Sequence, residues 1–98
     1  MLYAFIGYDK PDSVSLRLAS RPEHLKFLHN MADSLKAAGP HMDEATGDPV
    51  GSIVIVEGES RDSVVQLFAQ DPYAKAGLFE RTYVLPYKLA LGSFADNV

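Results

Sequence analysis

The sequence has no cysteine. That absence excludes disulfides, thiol nucleophiles and sulfur-ligated metal centres. Positive charge is also scarce: nine Lys and Arg stand against thirteen Asp and Glu, leaving a formal net charge of -4. With no basic run anywhere, a nucleic-acid surface is not expected. No apolar run approaches the roughly 18 residues that a membrane-spanning helix requires. The opening Met1-Leu2-Tyr3-Ala4-Phe5-Ile6-Gly7-Tyr8 lacks the basic leader and small-residue cleavage site of a signal peptide. The expectation is a cytoplasmic protein that meets neither nucleic acid nor membrane. No glycine-rich loop follows a strand to cradle a phosphate, and no G-x-S-x-G elbow raises a nucleophilic serine. The histidines do not form a metal set, because His24 and His29 fall on different helix faces and His41 lies in the next segment. Neither a metal nor a cofactor is expected.

What is present is an ordinary globular composition, 98 residues of which 47% are apolar and 22% charged. That is enough for one domain, over residues 1–98, with one core. Leu2 to Tyr8 reads as a strand ending at a turn through Gly7-Tyr8-Asp9-Lys10-Pro11-Asp12, and its unbroken apolar run suggests burial on both faces. Asp12 to Ala19 is ambiguous between a short helical turn and an extended stretch. Ser20 and Glu23 have the spacing of a capping box, and Pro22 suits a first helical turn. The main helix is therefore expected from Arg21 to Ala38, stopping at Gly39-Pro40. On its apolar stripe lie His24, Leu28, Met31 and Leu35, with Leu25 and Ala32 beside them.

Any strand between Pro40 and Ala45 would be short and at a sheet edge. Ser52-Ile53-Val54-Ile55-Val56-Glu57 is the clearest strand and should be central. Ser60 caps a second helix from Arg61 to about Gln70, ended by Asp71-Pro72-Tyr73. Leu78 to Tyr87 alternates, with Phe79, Tyr83, Leu85 and Tyr87 expected on one side, interrupted by Arg81. The resulting order, β-α-β-β-α-β, is the ferredoxin-like α+β arrangement with an antiparallel sheet whose first and third strands are adjacent and central. Two helices cover only one face of such a sheet, so a homodimer packed through the open face is the expected cover for the other.

His24 is the one polar member of the main helix's apolar stripe. Two readings stand: a core-edge histidine that donates to a backbone carbonyl, or a proton-transfer group, since imidazole is suited to that work near neutrality. Its expected place in the first turn sets it where the helix dipole opposes positive charge. Asp71 is its natural carboxylate partner, or simply a helix stop that bonds its own backbone. With Asp71 at the exit of one helix and His24 at the start of another, the topology does not by itself bring the two together within one chain: either the Asp71-Pro72 dipeptide folds back, or the pair is bridged through the pocket.

The ordered pieces Leu2-Tyr3-Ala4, Arg17-Leu18, Arg21-Pro22-x-His24-Leu25, Gly39-Pro40, Gly51-Ser52-Ile53-Val54-Ile55, Asp71-Pro72-Tyr73, Ala76-Gly77 and Val84-x-Pro86-Tyr87 resemble the YciI-like (YCII-related) proteins over nearly the whole chain. The resemblance implies a dimeric α+β barrel with a pocket in which His24 and Asp71 are the acid/base pair. One branch of that family is a dehydrochlorinase acting on a chlorinated hydroxyhydroquinone, and most of the rest have no assigned reaction. Fold relatives include muconolactone isomerases and small monooxygenases, so fold alone does not fix the chemistry. The sequence departs from the family at Tyr87, where phenylalanine is common, and in a Leu89–Val98 tail beyond the usual end.

In this reading His24 is the base, Asp71 is either its partner, fixing the tautomer, or the acid, and Arg17 or Arg21 holds an anionic or enolate oxygen. Tyr8 and Tyr73 are candidate donors to a substrate oxygen, and Ser52 lines the same cavity. As alternatives, the arginines are solvated surface charges and the tyrosines are packing residues. The expected function is a small cofactor-independent enzyme performing isomerisation, elimination or dehydrochlorination on a small cyclic or aromatic-derived substrate. The alternative is a non-catalytic dimeric module that binds or senses a small molecule.

Overall fold

The branched run through Val54 and the aromatic run through Phe5 pair antiparallel, Phe5 opposite Val54, and form the middle of a four-stranded sheet. The computed structural model describes residues 1–95. Its elements are β1 (Leu2–Asp9), α1 (Val14–His29), a 3-10 turn (Ala32–Ser34), β2 (Leu35–Met42), β3 (Pro49–Glu57), α2 (Arg61–Phe68), α3 (Pro72–Lys75), β4 (Phe79–Tyr87) and a second 3-10 turn (Ser93–Ala95). The strand order is β2-β3-β1-β4, every neighbouring pair antiparallel. This is the ferredoxin-like α+β fold, with β1 and β3 central as their sequences require. Among the described residues no helix is long and apolar enough to cross a membrane.

Side chains alternate across each strand, so Tyr3 and Phe5 of β1, Val54 and Val56 of β3 and Val84 of β4 point together into the core, where Leu28, Val64 and Phe68 of the helices meet them. Phe68 stacks on Phe5 with ring centroids 4.2 Å apart. Helix α2 starts as its sequence predicts, Ser60 and Ser63 exchanging side-chain and backbone hydrogen bonds in a capping box. The opposite face of the sheet carries Ile53, Tyr83, Leu85 and Tyr87, each 42–48% exposed.

Three expectations are corrected. Helix α1 begins at Val14, with Ser13 at the N-cap position but making no side-chain cap, so Ser20 and Glu23 form no capping box and Pro22 lies inside the helix. The upstream half has little apolar periodicity of its own. It is held because Arg17 is buried and paired with Asp9, a tertiary contact that overrides weak local propensity. The helix also ends early, at Asn30, and Ala32 turns the chain with a positive φ of 50°. Leu35 to Ala38, expected in the helix, and Gly39-Pro40, expected to stop it, lie instead in edge strand β2, paired along β3. Ladder hydrogen bonds to a strongly branched neighbour outweigh the local preference, and the proline is tolerated because β2 is an edge.

The third correction is Phe79. A bulge sets both Arg81 opposite Tyr8 and Phe79 opposite Asp9, so the extra residue, Glu80, reverses the side on which Phe79 lies. Phe79 thus packs edge-on against Phe5, centroids 5.6 Å apart, over Gly7, where any Cβ would meet its ring at 2.6 Å.

Candidate functional site

The site grows from Asp71-Pro72-Tyr73. Proline at the first position of α3 has no N–H to satisfy, and Asp71, extended before it, caps the helix by accepting from the Tyr73 N–H at 2.9 Å. The same oxygen, Oδ1, lies 2.8 Å from Nδ1 of His24. Both side chains are buried. A carboxylate accepts, so Nδ1 carries the proton and the neutral ring keeps its lone pair on Nε2. Oδ2 of Asp71 is buried with no partner among the described residues, so hydrogen-bond support for the carboxylate enters through Oδ1.

The pair forms within one chain, by the fold-back that the element order leaves open. His24 is in the middle of α1 rather than its first turn, and α3 turns back to pack on α1. The helix dipole therefore has little hold on His24, because the field of a helix end fades within its first turn.

Tyr73 is the second fixture. Its ring stacks on His24 with centroids 3.8 Å apart and planes at 15°, and the Arg17 guanidinium lies 4.5 Å from the same ring's centroid. Burial pushes the Tyr73 phenol above its ordinary value of 10, with Arg17 and Arg21 pulling against that shift. At neutral pH the phenol is therefore an O–H donor.

Arg17 is held by a residue that sequence reasoning missed. Asp9, read only as part of a turn, takes Nε of Arg17 at 2.7 Å and Nη2 at 3.0 Å, with both side chains about 95% withdrawn from solvent. Nη2 also donates to Oγ of Ser52 at 2.8 Å. The signal available was strand parity, which puts Asp9 on the covered face with Tyr3 and Phe5. The two N–H groups of Nη1 have no partner among the described residues.

These groups meet along a cleft of about 490 Å³ between α1 and β2, lined by Arg17, Arg21, His24, Ser52 and Tyr73 and by apolar residues including Leu25, Leu28, Ala38 and Val54. The cleft exists because the helices cover the central strands and leave β2, with its small Ala37, Ala38 and Gly39, largely exposed. Of the residues expected at the site, His24, Asp71, Tyr73, Arg17 and Ser52 come together, and Arg21 lies exposed on the rim. Tyr8 does not join them. It sits on the open sheet face, its ring 4.9 Å from that of His41 and under the Arg81 guanidinium. No cluster of His, Cys, Asp and Glu suited to a metal occurs among the described residues.

The YCII-related domain model matches residues 1–88. The chain belongs to the YCII-related family. Protein YciI of Escherichia coli O6:H1 is 39% identical over 95 residues, covering 90% of this YCII-related chain and 97% of its own. The structure of 5-chloro-2-hydroxyhydroquinone dehydrochlorinase from Burkholderia phenoliruptrix, in complex with 2,5-dihydroxybenzoquinone, superposes with a TM-score of 0.85 at 35% identity, covering 90% of this chain and 94% of that one. An antibiotic biosynthesis monooxygenase structure, at 15% identity and a TM-score of 0.56 over 93% of this chain and all of its own, shares the fold.

The buried Asp9–Arg17 pair yields a stability prediction. Asp9→Ala leaves the guanidinium buried and uncompensated, and is expected to destabilise the fold by about 3–5 kcal/mol in urea denaturation. Asp9→Ala combined with Arg17→Met should recover most of that loss. A single-variant loss below about 1 kcal/mol would show the pair to be dispensable.

Proposed function

We propose that this YCII-related protein is a cofactor-independent acid–base enzyme of the elimination class, acting on a small hydroxylated ring. The observation that carries the reading is the buried His24, fixed through Nδ1 by Asp71 and stacked on Tyr73, at a cleft where several hydrogen-bond donors converge. The similarity to a dehydrochlorinase supports the same class.

In this mechanism the ring reacts as the keto tautomer, in which one hydroxyl proton has moved to the chlorine-bearing carbon. Nε2 of His24 then removes the proton of a second hydroxyl, whose electron pair forms a carbonyl and pushes the adjacent double bond onto the chlorine-bearing carbon, breaking the C–Cl bond; the ring loses one proton to His24 and one chloride to solvent and becomes a hydroxyquinone. Asp71 orients the imidazole and stabilises the imidazolium formed, without itself taking the proton. The developing oxyanion is met by Nη1 of Arg17, the Tyr73 phenol and the Ser52 hydroxyl, with Arg21 at the rim. These donors are fixed in advance by Asp9 and by ring stacking, so little reorganisation accompanies the charge shift. A second copy packs on the open sheet face, whose exposed Ile53, Tyr83, Leu85 and Tyr87 form an apolar surface of the kind that marks a protein interface.

With 5-chloro-2-hydroxyhydroquinone as substrate, chloride release should be measurable. His24→Ala should lower kcat by about 10²–10⁴-fold while the affinity for 2,5-dihydroxybenzoquinone, read by calorimetry, changes by less than about tenfold. Chloride release unchanged in His24→Ala would refute the mechanism. Wild-type binding with no chloride release from any chlorinated hydroxyquinol would favour the non-catalytic binding module instead. For the assembly, light scattering is expected to give twice the chain mass, and Leu85→Glu to return a monomer; a monomeric wild type would remove the second copy from the account.

A further inference from the structure

The cleft is graded from polar to apolar along its length. Residues paired across antiparallel strands share a face, so Pro40 stands beside Ser52, Ala38 beside Val54 and Leu35 beside Val56, all on the side that the helices cover. On α1, Arg17 reaches Ser52, while Leu28 enters the core with Val54 and Val56. Helix and strand therefore agree in direction. One end holds Arg17, Ser52 and Tyr73, the other is walled by Leu25, Leu28, Val54 and Ala38, and His24 lies between them.

We propose that Ala38 is a specificity-determining residue, whose small side chain opens the apolar end of the cleft to a non-polar substituent on the bound ring. The inference rests on the reading that the cleft takes an oxygenated ring. Ring oxygens face the donors near Arg17, and one of the oxygen-free ring positions faces Leu28 and Ala38. A chloro or methyl group at that position leaves water for an apolar wall, the favourable transfer that drives such selection. A leucine at position 38 would fill the same space from the strand side. Because β2 is an exposed edge, a side chain there can change without disturbing the core under Phe5 and Phe68.

The test is calorimetric binding of 2,5-dihydroxybenzoquinone and of its 3-chloro, 3-methyl and 3-ethyl derivatives. Wild type should bind the substituted rings about tenfold or more tightly than the unsubstituted one, the scale of one apolar group in a pocket. Ala38→Leu should abolish that preference while holding the unsubstituted ring within about threefold of wild type. Ala38→Gly should shift the preference toward a 3-ethyl ring, and it keeps the proposal testable should Ala38→Leu fold poorly. Equal losses for every ring, or an unchanged preference in both variants, would overturn the role of Ala38 and leave the acid–base reading standing. Failure of wild type to bind any of these rings would overturn both.

Discussion

One buried carboxylate oxygen joins the two parts of the chain that the site requires. Oδ1 of Asp71 accepts from the Tyr73 N–H, which starts α3, and from Nδ1 of His24 on α1. The cap thus fixes the position of the carboxylate by local backbone geometry, and the carboxylate fixes the imidazole. The Tyr73 ring, carried by the same short helix, then limits rotation of the imidazole by stacking on it. Cap, orienting group and platform come from three consecutive residues, with Pro72 holding the phase between them. Withdrawal from water strengthens each of these contacts and raises the penalty for leaving one unmade.

A second buried pair does the corresponding work for the donors. Asp9 compensates Arg17 and aims it, so the guanidinium serves Ser52 and the cleft instead of lying free in solvent. The pair also anchors the first half of α1, which has weak helical character of its own. Site and fold are coupled here: the contact that extends the helix upstream of Pro22 also sets the direction of the donors. The cleft itself follows from topology, since the helices cover the central strands and β2 is left with small, exposed side chains.

The central strands, the second helix with its Ser60 cap and the edge position of the segment after α1 were legible because apolar pattern and turn chemistry agree there. The boundaries of α1 were not. Ser20 and Glu23 have the spacing of a capping box, yet the deciding force is an ion pair between residues eight apart, which no local pattern records. Leu35 to Ala38 carries good helix formers and becomes strand because β3 offers ladder partners. Phe79 lies on the side opposite to the one its alternation predicts because one bulge residue, Glu80, shifts the register. His24 and Asp71 were legible as candidates, but their meeting depends on α3 folding back, which composition does not reveal. Asp9 looked like a turn residue, and its role emerges only once strand parity is set against the helix above it.

The most direct test of the account is the tautomer of the neutral His24 ring, read from its two ¹⁵N shifts in a long-range ¹H–¹⁵N correlation spectrum. The account predicts that the proton resides on Nδ1, held by Asp71, and that Nε2 shows the shift of a bare nitrogen. A proton found on Nε2, or an even mixture of the two forms as in free imidazole, would mean that Asp71 does not orient His24, and the proton-transfer chemistry built on that contact would fall.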